Sequence, residues 1–254
     1  MSDEDILNLA SKKRTSEALE AAYTACIYDF ENRTLHKNLL LMRHFDLLPK
    51  ESEYQDDAFK RFIEKNKSSP RLKEALSHYK LGLIYENGKK FKDAGKEYGE
   101  ALKAIPDFAP ALFRRGMVYE VRFSNKVERK GEFLTPLELL TSRCEGDFTE
   151  ACRADPQFPL AFFSLALHLK GRMLLTRNVY KDWDKALHNY SACIDIDPDC
   201  AAAHNNMGLI YVDRKDFERA EKEFNEVLRI FPGHPTGVKN LEAAKKNKGR
   251  GLFS

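Results

Sequence analysis

The stretch LGLIYENGKKFKDAGKEYGEALKAIP, residues 81–106, returns as MGLIYVDRKDFERAEKEFNEVLRIFP at residues 207–232. Leu81-Gly82, Tyr85, Ala94, Tyr98, Ala101 and Pro106 align with Met207-Gly208, Tyr211, Ala220, Phe224, Val227 and Pro232 at identical spacings. Two further copies lie between them. A fixed period of this length marks a repeat array, in which each copy buries its apolar face only against its neighbours.

Each copy can be numbered so that its closing proline is position 32. Position 8 is then Gly82, Gly116, Ala166 and Gly208, and its small counterpart, position 20, is Ala94, Cys144, Ala186 and Ala220. Small residues at both places let two helices cross at close range. Positions 11 and 24 are large: Tyr85 and Tyr98, Tyr119 and Phe148, Leu169 and Tyr190, Tyr211 and Phe224. The prolines, Pro106, Pro156, Pro198 and Pro232, stop the second helix, because proline lacks the N–H and disfavours helix in the residue before it. These residues resemble the tetratricopeptide repeat, a pair of antiparallel helices about 34 residues long. The resemblance implies an all-α, right-handed helical solenoid that binds other proteins.

Position 20 stands 12 residues before its proline in every copy, and the next position 8 stands 10 after it, yet the prolines are 50, 42 and 34 apart. The extra residues therefore fall at the turn inside the second and third copies. Residues 120–143 and 170–180 are expected to lengthen helices there. Thr135-Pro136-Leu137-Glu138 reads as a helix start, and His168 to Arg177 continues a first helix.

The organisation expected is an amino-terminal helical segment over 1–38, with a helix from Ser16 to Phe30. A repeat array over 39–241 follows. Its copies are a degenerate one at 39–72 and four at 75–108, 109–158, 159–200 and 201–234, with a capping helix at 235–245. Residues 246–254 read as a basic flexible tail. In the degenerate copy Ala58, Phe62 and Pro70 keep the spacing of a second helix.

Composition bounds the chemistry. The chain has 254 residues, 43% of them apolar and 32% charged, with a formal net charge of +3. That charge is too small to favour nucleic acid or an anionic membrane as the default partner. Residues 239–254 nevertheless carry a net +4. Nucleic-acid or ribonucleoprotein association through this tail is therefore the alternative reading. No secretory signal or membrane span is legible. The cysteines, Cys26, Cys144, Cys152, Cys193 and Cys200, are odd in number without a CxxC pair. The expected location is cytoplasmic.

Catalysis is not expected. His78 and His204 fall at position 4, a packing place, and Cys144 and Cys193 fill places that want an alanine-sized side chain. No phosphate loop, GxSxG elbow or zinc-ligand spacing occurs, and no cofactor or metal is implied. The resemblance instead implies a concave groove lined by the first helices. Its expected residues are Tyr79, Lys80, Leu83, Phe113, Arg114, Met117, Phe163, Leu167, Asn205, Asn206 and Leu209. This apolar groove with a thin polar rim would hold an apolar or amphipathic segment of a partner protein, as an adaptor, assembly factor or co-chaperone-like module does. Family members that grip a chaperone's carboxylate tail use lysine, asparagine and arginine over three successive copies. Here those places hold Tyr79 and Leu83, then Arg114, then Leu160 and Ser164, so that clamp is not expected. The Ser16–Phe30 helix could itself fill the groove.

Overall fold

In the computed structural model the described residues are 1–12, 15–31, 47, 50–130, 135–172 and 179–251. Every regular element among them is a helix. The fold is all-α, built of tetratricopeptide-like helix pairs, and its helices fall into two compact units. The first holds α1 (Asp3–Ser11), α2 (Thr15–Glu31), α3 (Glu51–Asn66), α4 (Leu72–Asn87), α5 (Phe91–Ala104), α6 (Ala109–Lys130), α7 (Thr135–Ala154) and the start of α8 (Pro159–Arg172). The second holds the rest of α8, α9 (Val179–Ile196), α10 (Ala201–Asp213), α11 (Phe217–Ile230) and α12 (Pro235–Gly251).

The small-against-large rule read from the sequence sets the pairing. A methyl group added at Gly82 would lie 2.4 Å from the Tyr98 ring, at Gly116 2.7 Å from Phe148, and at Gly208 2.5 Å from Phe224. Those distances are inside van der Waals contact, so only glycine lets α4 meet α5, α6 meet α7 and α10 meet α11 this closely. Each second helix ends two residues before its proline, at Ala104, Ala154, Ile196 and Ile230. The tight turn inside the two standard copies is also shared. Lys89 and Lys215 adopt the left-handed region, with φ of 58° and 60°, and the next amide donates to the Tyr85 or Tyr211 carbonyl at 2.8 Å.

The first insertion is helical on both flanks: α6 runs on to Lys130 and α7 begins at Thr135. In the second copy with an insertion, α8 continues to Arg172 and α9 starts at Val179, while 173–178, and with them Met173, Leu174 and Leu175, lie outside the described residues. Residues 39–46, 48 and 49 of the expected degenerate copy also lie outside them. Two terminal features differ from expectation. An additional helix, α1, precedes α2; its Ser2 Oγ accepts from the Asp5 N–H at 3.2 Å while the Asp5 carboxylate accepts from the Ser2 N–H at 3.0 Å. At the other end α12 continues through residues 246–251, which the sequence assigned to a flexible tail.

In the first unit α1 and α2 close the array. Ile6 and Ala22 pack with Leu81 and Ile84 of α4 in one apolar cluster, joined by Leu7, Leu19, Ala21 and Ala25. The helix that lies along α4, where a preceding second helix would sit, is thus α2, whereas α3 runs beside α6.

Candidate functional site

The first helices carry two kinds of side chain at the places expected to face a groove. The aromatic ones turn inward. Tyr79 and Phe163 are fully buried and Phe113 is 1% exposed. Tyr79 packs on Tyr98, Phe113 on Phe148 and Phe163 on Tyr190, at ring-centroid distances of 5.8, 6.2 and 5.6 Å. In three successive copies, therefore, the position-5 ring reaches the position-24 ring of its own pair. The expectation that these three line an accessible stripe is corrected. A phenyl or phenol ring is long enough to cross from the groove side into the seam where only glycine or alanine stands at position 8. The fourth copy has Asn205 there instead, and its side-chain oxygen accepts from Asn240 Nδ2 at 2.8 Å.

The polar places in the first unit converge on a cavity of about 870 Å³. One wall is Lys80, Leu83 and Asn87 of α4 with Arg114 of α6; the other is α2, with Ala21, Thr24, Ala25, Tyr28 and Asp29. Met1, Ser2 and Asp3 also line it, as do the exposed Glu17 and Glu20. Three of the residues expected in the groove, Lys80, Leu83 and Arg114, are thus brought together. Two exposed hydrophobic side chains, Met1 at 76% and Tyr28 at 65%, stand among the lining residues.

Two charge clusters, one partly exposed and one buried, hold the cavity in shape. Lys80 Nζ donates to Asp29 Oδ2 at 2.6 Å and lies 3.1 Å from Asp3 Oδ1. Burial pulls its pKa down, but the bonds to Asp29 and Asp3 outweigh that and leave it raised. The carboxylates of the amino-terminal helices therefore pin them to α4. Beneath, Arg114 Nη1 donates to Glu86 Oε1 at 2.6 Å and the Tyr98 hydroxyl donates to Glu86 Oε2 at 2.7 Å, with all three side chains buried. Burial raises the Glu86 carboxyl and Arg114 opposes it. The ion pair links α4 to α6, so the cavity floor is also a joint between two repeats.

The remaining expected residues lie elsewhere. Met117 is buried. In the second unit, Leu167, Asn205 and Leu209 are half-buried and Asn206 is buried. Asn206 Oδ1 accepts from Lys170 Nζ at 3.0 Å, and its Nδ2 donates to the Ala202 carbonyl at 2.8 Å. Burial depresses the Lys170 pKa, with Asp213 acting against it.

Sequence reasoning missed the residues that α1 and α2 bring to the cavity: Asp3, Glu17, Glu20, Tyr28 and Asp29. Ser2-x-x-Asp5, a capping box, was the legible signal for α1. The Asp3 and Asp29 partnership with Lys80 spans the chain and has no local signature.

The two histidines at position 4 are structural ties. His78 Nδ1 pairs with Glu97 Oε2 at 2.7 Å and His204 Nδ1 with Glu223 Oε2 at 2.8 Å, each joining the two helices of its copy over the same 19-residue spacing. Burial pushes the Cys26 and Cys152 thiols up to about 12 and Cys144 higher still, which suits inert packing groups rather than nucleophiles. No group of His, Cys, Asp and Glu among the described residues could hold a metal ion.

Comparison with known proteins fits this architecture. Tetratricopeptide-repeat family models match residues 75–108 and 181–235. Over 181 residues the chain is 24% identical to the Hsp70-Hsp90 organising protein of Plasmodium falciparum (isolate 3D7), covering 66% of this chain and 31% of that protein. It is 22% identical over 178 residues to the human protein O-mannosyl-transferase TMTC3, covering 68% of this chain and 18% of that protein. The chain thus spans less than a third of either curated relative. Among solved structures, MamA superimposes with a TM-score of 0.55 at 16% identity, covering 69% of this chain and 82% of that one. A thermophilic TPR protein of Thermus thermophilus gives 0.53 at 13%, covering 85% and 99%. At such identities the shared property is the fold. With its glycine-on-ring crossings and proline stops repeated from copy to copy, the chain carries tetratricopeptide repeats at residues 75–108 and 181–235.

Proposed function

We propose that the protein is a non-enzymatic adaptor that holds an apolar or amphipathic segment of another protein in the cavity bounded by α1, α2, α4 and α6. The observation that carries this reading is the cavity itself. Its volume, about 870 Å³, lies within the range of sites that enclose a ligand. Its walls combine Leu83, Ala21, Ala25 and the exposed Tyr28 with charged groups at the rim, a surface suited to an amphipathic segment. An assembly or co-chaperone-like role accords with the likeness to the Hsp70-Hsp90 organising protein. The grip on a chaperone's carboxylate tail is not carried over, because Leu160 is fully buried and Tyr79 stands where the clamp needs a lysine. The transferase activity named for the human relative is not carried over either, since the match covers 18% of that protein. No helix among the described residues is long and apolar enough to cross a membrane. We place the protein in the cytoplasm.

A photo-crosslinking amino acid installed separately at Thr24, Asn87 and Lys103 tests the reading in cells. All three side chains are exposed, but only the first two line the cavity. A partner cross-linked from Thr24 and Asn87 and absent from Lys103 is the expected result. Equal capture from Lys103, on the opposite helix of the pair, would overturn it.

A further inference from the structure

Helix α3 is docked on the first unit through one face of its own. Gln55, Ala58, Phe59 and Phe62 follow the i, i+3, i+4, i+7 spacing of a single helical stripe, and all four are buried. Phe59 stacks on Tyr79 at 5.5 Å and leans on Phe108 at 6.1 Å, while Phe62 lies on Phe108 at 3.6 Å. At the edge, Arg61 grips the Asp155 carboxylate with two nitrogens, Nε at 3.0 Å and Nη2 at 2.8 Å, and donates to the Gln157 carbonyl at 2.9 Å. Lys65 Nζ donates to Asp107 Oδ2 at 2.6 Å. Bidentate arginine–carboxylate pairing fixes direction as well as adding energy. The receiving surface is therefore specific: an aromatic trough of Tyr79 and Phe108, flanked by Asp107 and Asp155.

The occupant fits that surface imperfectly, in three independent ways. Gln55 is 1% exposed, and neither its amide nitrogen nor its oxygen has a hydrogen-bond partner among the described residues. Burying such a group unsatisfied opposes docking. The Phe62 and Phe108 rings are parallel to within 4° at 3.6 Å, a face-to-face arrangement less favourable than an offset or edge-on one. A gap of about 200 Å³ also remains along the seam, lined by Ala58, Arg61, Phe62, Lys65, Asp107 and Asp155 among others. The receiving side, by contrast, is held by its own packing, since Tyr79 also contacts Tyr98 and Phe108 directly.

We infer that this trough is a helix-docking site, that α3 is its resident intramolecular occupant, and that a partner helix of the same chemistry replaces it. The partner presents two aromatic side chains one turn apart, an arginine between them and a lysine on the next turn, as Phe59-x-Arg61-Phe62-x-x-Lys65 does. A partner with an apolar residue in place of Gln55 binds more tightly than α3. This surface uses other residues than the cavity beside α2, and it stands or falls separately from it.

The test is fluorescence anisotropy of a fluorescein-labelled peptide of residues 50–67, titrated with the full chain. The wild type and the Phe59→Ala/Phe62→Ala variant are compared, with circular dichroism confirming helicity. Apparent affinity scales with the fraction of molecules in which the resident occupant has left the trough empty, so the double variant is expected to bind the peptide at least about tenfold more tightly. Adding Asp155→Asn should remove most of that gain, and a peptide with both phenylalanines replaced by alanine should not bind. If the double variant is not helical, Arg61→Glu serves in its place: it breaks a partly exposed pair and is expected to raise affinity about threefold. Unchanged peptide affinity in the folded variant, or equal binding of the alanine peptide, would overturn the inference. So would a dimer of the unaltered chain by light scattering that the peptide dissociates, because the occupant would then be a second copy.

Discussion

At the scale of single residues, spacing between helices is set by the absence of one methyl group. Gly82, Gly116 and Gly208 each face an aromatic ring that an alanine Cβ would strike. Gly146, on α7, has nothing within 4 Å of the same construction. The contrast separates packing from backbone propensity. Gly82→Ala is expected to lose about 1–3 kcal/mol through overpacking, while Gly146→Ala is expected to gain roughly 0.5–1 kcal/mol as an ordinary helix-interior replacement. Urea denaturation followed by circular dichroism measures both. Equal effects would mean that the ring contacts do not fix the crossing. These glycines were legible in the sequence, because a steric requirement recurs wherever the same crossing recurs. The roles of His78 and His204 were only half legible. Their packing place was apparent, but the carboxylate partners, Glu97 and Glu223, follow from the distance between two helices.

Among the elements, the helix pairs were read correctly because a 34-residue period combines local signals: small residues, proline stops and apolar stripes. The neighbours of α3 were not. Ala58, Phe62 and Pro70 carry the spacing of a second helix, yet α2 occupies the place beside α4 and α3 packs beside α6. Local pattern specifies that a helix forms; which surface receives it depends on the long-range contacts of Phe59, Arg61 and Phe62. The same limit explains the aromatic residues. Tyr79, Phe113 and Phe163 sit at places that resemble groove positions, but their rings reach the second helix of the pair. Phe113→Ala is accordingly expected to destabilise the fold by about 3–5 kcal/mol, as deletion of a buried ring does. A melting curve indistinguishable from wild type would instead return Phe113 to the groove.

At the scale of the whole molecule, the first helices of the two units carry polar groups of different chemistry. In the first unit, ion pairs (Lys80 with Asp29 and Asp3, and the buried Arg114 with Glu86) frame a cavity that α1 and α2 help to enclose. In the second, amides dominate: Asn206 with Lys170 and Asn205 with Asn240. The basic carboxyl-terminal residues are largely part of α12, where Lys248 lies 3.3 Å from Glu218 and 3.9 Å from Glu221. The cavity is the central claim, and the most direct measurement separates its filling from loss of fold. Asn87→Trp places an indole at the mouth from an exposed helix-end position. The variant is tested for thermal stability and for affinity toward the partner recovered by cross-linking. The expected result is an unchanged melting transition with at least about tenfold weaker binding, the loss typical of blocking a central contact. Full affinity in a folded Asn87→Trp protein would contradict the account.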